Sequence, residues 1–330
     1  MPRLNVMDCG ARGDGVKDDT PAFRAALSKS MCLYVPAGTY RIDGLLVHDP
    51  GVTIRGDGPG QTVLLDSGGP TLQFDGSRCF VAYTTECAGS ADCCLQDLTL
   101  RGRGVMPAGV DRDEIGLLVH GAPRQTLRNV TVERFAGRGL MLHHRLTTGG
   151  LFDGVTVCDV CAARIGNASR HGWGVTVYGG GNWGAPSDCV FRNLRVERTT
   201  QAGLAFDAGT SNTIGFQPTA IRVDGLTLVD CATSYLGDAA ALTFSGSLAC
   251  RVDWLTVRYL SRPPGKTIAF SVDNDSQKHI ASWNTVSGGV ILGCGPDPIA
   301  KNGTDGTNVV RDIVLQGWLG GTQRIERTTY

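Results

Sequence analysis

Asn129-Val130-Thr131-Val132 has the same build as seven other short stretches of the chain: Asp97-Leu98-Thr99-Leu100, Gly154-Val155-Thr156-Val157, Asn193-Leu194-Arg195-Val196, Gly225-Leu226-Thr227-Leu228, Trp254-Leu255-Thr256-Val257, Trp283-Asn284-Thr285-Val286 and Asp312-Ile313-Val314-Leu315. They follow one another at 32, 25, 39, 32, 29, 29 and 29 residues. Repetition at such intervals marks a solenoid, because each unit can bury its apolar face only against its neighbours. Within each copy the apolar residues alternate, which is strand periodicity with one face turned inward. A second strand falls between successive copies: Gly116 to His120, Gly139 to His143, Gly174 to Tyr178, Gly203 to Asp207, Ala241 to Ser245, Thr267 to Ser271 and Gly289 to Gly293. The returns are too short for helices, so the strands stack in parallel. The expected fold is all-β, a single-stranded right-handed parallel β-helix filling residues 1–330 as one domain. Residues 1–45 form its opening segment and cap, 46–320 its coils and 321–330 a C-terminal tail.

The open end of the first coil needs a cover. Thr20 is the expected N-cap of a short helix running to Ser28, with Pro21 where a helix tolerates proline and Phe23, Ala26 and Leu27 on one side.

The opening segment also carries a resemblance. Asn5-Val6-Met7-Asp8-Cys9-Gly10-Ala11-Arg12-Gly13-Asp14-Gly15-Val16-Lys17-Asp18-Asp19-Thr20, followed by Tyr34-Val35-Pro36-Ala37-Gly38-Thr39-Tyr40, resembles the start of the pectate-lyase-like (pectin-lyase fold) β-helix superfamily. That superfamily includes pectate and alginate lyases, mannuronan epimerases, polygalacturonase-type hydrolases and phage tailspike depolymerases. The resemblance implies a polysaccharide laid along the outside of the coils. It does not select the reaction, and the polygalacturonase signatures (a paired-aspartate strand, Gly-His-Gly and Arg-x-Lys) are not found.

Composition agrees with many short strands: 46 glycines and 7% aromatic residues. Lysine plus arginine (31) equals aspartate plus glutamate (31), so no basic field favours nucleic acid or an anionic membrane. No stretch reaches the roughly 18 apolar residues of a membrane span. The first residues lack a long apolar run, but a removed leader would leave the same sequence, so location stays open between secreted, virion-associated and cytoplasmic. A monomer or a homotrimer is expected. Of the twelve cysteines, Cys189 and Cys250 stand five residues before the first apolar residue of a repeat copy, where Ile221 holds the equivalent place. Both are expected to be buried and reduced. Cys158 and Cys161 have metal-ligand spacing without a second pair.

Alignment of the second strands produces a polar series at one position: His120, His143, Tyr178, Asp207, Ser245 and Ser271. In Gly139-Leu140-Met141-Leu142-His143 the leucines point inward and His143 outward. Neighbouring members would stand about 4.8 Å apart. An outward column on a half-solvated sheet is polar in any case, but His120, His143 and His144 are half of the six histidines in the chain. His143 and Tyr178 are the expected acid and base, with His120 and Asp207 beside them. Trp173 and Trp183 are expected to stack on sugar, and Arg138 and Arg145 to pair with a carboxylate. His144 and Asn182 complete the expected substrate-binding set. No cofactor or metal is expected, although Asp111, Asp113 and Glu114 have the oxygen chemistry of a calcium site.

Together these residues fit a lyase or epimerase on a uronate polymer. One alternative is a glycoside hydrolase or tailspike-type depolymerase, pairing Asp207 with Asp238 or Asp273. Another is a non-catalytic carbohydrate-binding fibre module. Sequons stand at Asn129, Asn167 and Asn302.

Overall fold

The computed structural model describes residues 3–330 except 70–72, 75–76, 85–89, 106–113, 162–163, 166–167, 170–171, 181–182, 210–215, 233–239, 262–265, 272–278 and 318–320. Two stacked sheets run the length of a parallel β-helix. The longer has 16 strands and contains Cys94–Arg101, Thr126–Glu133, Val190–Thr199, Arg222–Val229, Arg251–Arg258, Thr285–Cys294 and Val309–Gly317, paired in parallel. The second, of ten strands, contains Ser77–Thr84, Glu114–His120, Gly137–His143, Trp173–Tyr178, Leu204–Asp207, Ala240–Ser245, Lys266–Ser271 and Ile299–Asn302. These also stack in parallel, one per coil.

The repeat signature marks a bend in the long strands. Its first residue has a left-handed backbone in successive coils: φ is 57° at Asp97, 51° at Asn129, 64° at Gly154, 51° at Asn193, 80° at Gly225 and 56° at Asp312. Asparagine, aspartate and glycine tolerate that conformation best, which is why they open the signature. The Asn129 amide also donates to Asp97 at 3.0 Å, tying one bend to the next. The residues that follow fill the core: Leu98, Val130, Val155, Leu194, Leu226 and Leu255 are all buried. Beside them run ring stacks such as Phe206, Phe244 and Phe270, with centroids 5.0 and 4.9 Å apart.

Trp283-Asn284-Thr285-Val286 is not a repeat copy in this register. Leu255 pairs with Gly289 and Val257 with Ile291, so the bend of that coil falls at Gly288, whose φ is 68°. The intervals there become 34 and 24 residues. The same shift moves Gly289 to Gly293 out of the second sheet, whose strand in this coil is Ile299–Asn302. The misread copy shares Trp-x-Thr-Val with Trp254-Leu255-Thr256-Val257, and Trp283 is left-handed like Trp254. Asn284 shares a column with Cys189, Ile221 and Cys250, and its side chain bonds the Cys250 N–H (2.9 Å), the Ser247 carbonyl (3.1 Å) and Asn308 (2.9 Å). A buried polar group is tolerated when its partners are supplied.

Cys189 and Cys250 are buried free thiols, with burial pushing their pKa values up to about 11 and about 12. Among the described residues no cluster of three or more His, Cys, Asp or Glu side chains could hold a metal, Cys158 and Cys161 included. No described helix is long and apolar enough to cross a membrane.

Both ends are closed. The capping helix spans Thr20–Leu27, buries Ala22, Phe23 and Ala26, and packs Phe23 edge-on against Tyr40 at 5.6 Å. Its N-cap is Asp19, not Thr20: the Thr20 N–H and hydroxyl both turn back to the Asp18 carboxylate. Asp19 instead accepts from the N–H groups of Arg12 and Gly13, folding the opening segment onto the helix. At the other end the expected tail is the strand Thr322–Thr329, which pairs antiparallel with Val309–Gly317 and covers the last edge.

Candidate active site

The second sheet aligns the polar column rung by rung: His120 with His143, His143 with Tyr178, Tyr178 with Asp207, then Ser245, Ser271 and Asn302. The direction read from strand alternation holds. The surroundings differ along its length.

At the N-terminal half the column is covered. The short strand Gln73–Phe74 folds back antiparallel on Ser77–Thr84 and sets the Phe74 ring 4.4 Å from His120 and 5.5 Å from His143, centroid to centroid. Trp183 meets His120 edge-on at 5.2 Å, and His144 lies 4.9 Å from it. Ile115, Leu118 and Met141 pack with Phe74 beneath the same cover. His120 is therefore 0% exposed and His143 3%, not half-solvated as expected of an outward column. Burial, then the neighbouring histidines, press the His120 pKa down to about 3, so it stays neutral. His143 is held at both ring nitrogens: Nδ1 lies 3.2 Å from His120 Nδ1, and Nε2 donates to the Gly180 carbonyl at 3.0 Å. Both rings are thus covered, whereas His143 and His120 were expected to face the substrate from an outward column.

His144 also turns inward, with a left-handed backbone (φ 82°) and Nδ1 accepting from the Leu146 N–H at 3.1 Å. Burial lowers its pKa, with Arg145 adding to the effect. Trp183 is 42% exposed, with its carbonyl held by the Arg145 N–H, so it roofs the histidines as well as facing solvent. Arg145 itself is exposed.

Tyr178 stands where cover gives way to groove. It is half-buried, 5.3 Å from the His143 ring and 5.2 Å from the Arg138 guanidinium, which also lies over Trp173 at 4.9 Å. Two glycines clamp its hydroxyl end. A Cβ at Gly180 would sit 2.2 Å from the ring, and one at Gly209 would sit 2.7 Å away. Asp207 shapes the second of these, since its carboxylate accepts the Gly209 N–H at 2.9 Å and fixes the turn. Asp207 thus orients Tyr178 through the backbone.

Beyond Tyr178 the column opens into a cavity of about 360 Å³, lined by Trp173, Asp207, Ser245, Lys266, Ser271 and Asn302 among others. The Trp173 indole N–H donates to Gln201, which fixes one groove wall. Lys266 is ion-paired to the exposed Asp297. Lys266, Gln201 and Asn302 were missed from sequence. Lys266 lies one residue before an expected strand, and Asn302 belongs to the coil whose register was misread.

Several expected residues fall elsewhere. Glu114 is no calcium ligand: fully buried, it pairs with Arg78 at 3.2 Å and accepts the Ala136 N–H at 2.8 Å, while Arg78 also grips Asp66. Asp111, Asp113, Asn182, Asp238 and Asp273 lie outside the described residues, as does the sequon residue Asn167. A larger cavity of about 440 Å³ lies between the capping helix and Leu45–Val47, with Arg24, Ser28, His48 and Asp49 among its lining residues.

Comparison with known proteins follows the same lines. Residues 3–217 match the family model described as rhamnogalacturonase A/epimerase, pectate lyase-like. The mannuronan C5-epimerase AlgE3 of Azotobacter vinelandii is 29% identical over 252 residues, 67% of this chain and 13% of the relative. Alginate lyase 7 of the same organism is 40% identical over 72 residues, 18% of this chain and 8% of the relative. The chain thus spans a small part of the relatives it matches. Among solved structures, the enzymatically active domain of bacteriophage CBA120 tailspike protein 2 superposes with a TM-score of 0.65 at 13% identity, covering 96% of this chain and 43% of that one. That likeness speaks for the fold. On the family match over residues 3–217, the chain belongs to the rhamnogalacturonase A/epimerase, pectate lyase-like family.

Proposed function

We propose that the chain is a polysaccharide-active enzyme that removes the C5 proton of a uronate residue, with Tyr178 as the group that exchanges it. One observation carries this reading: Tyr178 stands one rung from Asp207, which lines the groove, with its hydroxyl clamped by Gly180 and Gly209 and its ring under the Arg138 guanidinium. The Arg138 guanidinium places a positive charge beside the ring assigned to the proton transfer. Lys266, three rungs on and five residues back from the Tyr178 row and ion-paired to Asp297, lines the far wall of the groove. Trp173 supplies an apolar face for a ring, and Ser245, Ser271 and Asn302 supply hydroxyl and amide partners along the column.

Removal of the proton leaves a carbanion stabilised by the carboxylate. In elimination the C4–C5 double bond forms as the C4–O bond breaks, and the leaving oxygen takes a proton. In epimerisation the carbanion is reprotonated from the opposite face. The two reactions share their first step, and the names of the relatives, epimerases and an alginate lyase, support both. Hydrolysis by a carboxylate pair has less support, since Asp207 is the carboxylate among the described groove residues and is engaged in its turn.

The test is incubation with polymannuronate and polygalacturonate, following ultraviolet absorbance for the unsaturated product and sugar composition for the epimer. Either signal, lost in Tyr178→Phe, is the expected result. Chain shortening with neither signal means hydrolysis and overturns the reading.

A further inference from the structure

At the bend of the long strands, seven coils use aspartate, asparagine or glycine, as described above. The eighth uses Trp254, with φ 60°. A bulky aromatic side chain is a poor choice for a left-handed backbone, and here it is also 73% exposed, so neither local conformation nor burial accounts for it. The next coil makes room for the ring. Gly288 is the register partner of Trp254, and a Cβ there would lie 3.3 Å from the indole. The ring therefore rests one face on bare backbone and leaves the other open to water. Trp283, also left-handed and 65% exposed, stands in the following turn, its N–H held by the Thr307 hydroxyl.

The surroundings say what would lie on such a platform. Arg251 and Arg258 are exposed at either end of the Trp254 strand, and Arg251 is held by Asp253 at 2.5 Å. One rung back, Arg222 is held by Asp224 at 2.8 Å. The core of a protein interface is depleted in charge, so a flat aromatic ring fixed among ion pairs is a poor fit for a protein partner. It suits a sugar ring, whose C–H face stacks on the indole while hydroxyls and carboxylate reach guanidinium and carboxylate neighbours.

We propose that Trp254 and, one rung on and five residues back along the strand, Trp283 form a second polysaccharide-binding site on the long sheet, separate from the groove at Tyr178. This rests on the reading that the substrate is a polysaccharide. Its role would be to hold the polymer by a remote segment and raise its effective concentration at the groove.

The experiment measures affinity of the full chain for polymannuronate, polygalacturonate and dextran by affinity electrophoresis, alongside turnover of a trisaccharide too short to span both sites. Trp254→Asn is the variant of choice, because asparagine suits the left-handed backbone and keeps the fold; Trp283→Ala is its companion. The expected result is about a fivefold loss of polymer affinity for each, with trisaccharide turnover unchanged. Unchanged polymer affinity in the double variant overturns the proposal, as does a wild-type dimer in sedimentation that Trp254→Asn converts to monomer. Should Tyr178→Phe leave turnover intact while Trp254→Asn weakens polymer binding, the catalytic reading fails and the platform stands. A chain that binds none of the three polymers contradicts both.

Discussion

His143 and Ser271 occupy the same position of the repeat, four rungs apart on one sheet, yet one is 3% exposed beneath the Phe74 ring and the other is partly exposed in a groove. A solenoid fixes where a side chain points, because alternation along each strand is inherited by every coil. What lies over it is decided by loops that leave the repeat, here the Gln73–Phe74 turn-back and the Trp183 segment. Tyr178 stands at the seam, its ring against His143 on one side and its strand paired with that of Asp207 on the other.

The comparison breaks most readily at the seam itself. Gly180→Ala would drive a methyl group into the Tyr178 ring, and since a displacement of about 1 Å can cost about 10²-fold in rate, turnover should fall by that order with little change in thermal midpoint. Normal turnover would mean that the position of the Tyr178 hydroxyl does not matter. Removing the cover is the next largest test. Phe74→Ala should cost about 2 kcal/mol in denaturant unfolding and let the His120 pKa climb back toward its ordinary value, as read by NMR titration.

The covered half also rests on a buried charge cluster. Burial, with Asp66 adding to it, holds the Glu114 pKa up at about 8, above the 4.5 of a free glutamate. The folded chain therefore keeps a proton that the unfolded chain gives up, and stability should fall as pH rises from about 4.5 through about 8. Glu114→Gln should flatten that part of the curve, read as thermal midpoint against pH; an unaltered slope would place the titration elsewhere. In the open half, Ser271→Ala should change stability by no more than about 0.5 kcal/mol, because its side chain is partly exposed. A loss as large as that of Phe74→Ala would erase the contrast between the halves.

The repeat, the two strands per coil and the column from His120 to Ser271 were legible because each depends on local alternation and on residues that accept a left-handed bend. The misread copy at Trp283 had a physical cause: Trp283, Thr285 and Val286 repeat Trp254, Thr256 and Val257, and Trp283 is left-handed as well (φ 57°), while Asn284 lies in the core, where Ser247, Cys250 and Asn308 satisfy it. That slip hid Asn302. The cover over His120 was not legible, because Phe74 and Trp183 are distant in sequence and follow no period. For the same reason the histidines read as exposed groups of an outward column, whereas His120, His143 and His144 are buried. Thr20 looked like a cap by residue type, but the hydroxyl that would have capped the helix turns back to Asp18.

The central claim is that Tyr178 acts on substrate and His143 only positions it. Side-by-side turnover and binding of Tyr178→Phe and His143→Gln on one polyuronate tests this most directly. The account predicts a fall of about 10²- to 10⁴-fold in kcat for Tyr178→Phe with binding retained, and a fall of about tenfold or less for His143→Gln. Equal losses, or a larger loss for His143→Gln, would contradict it.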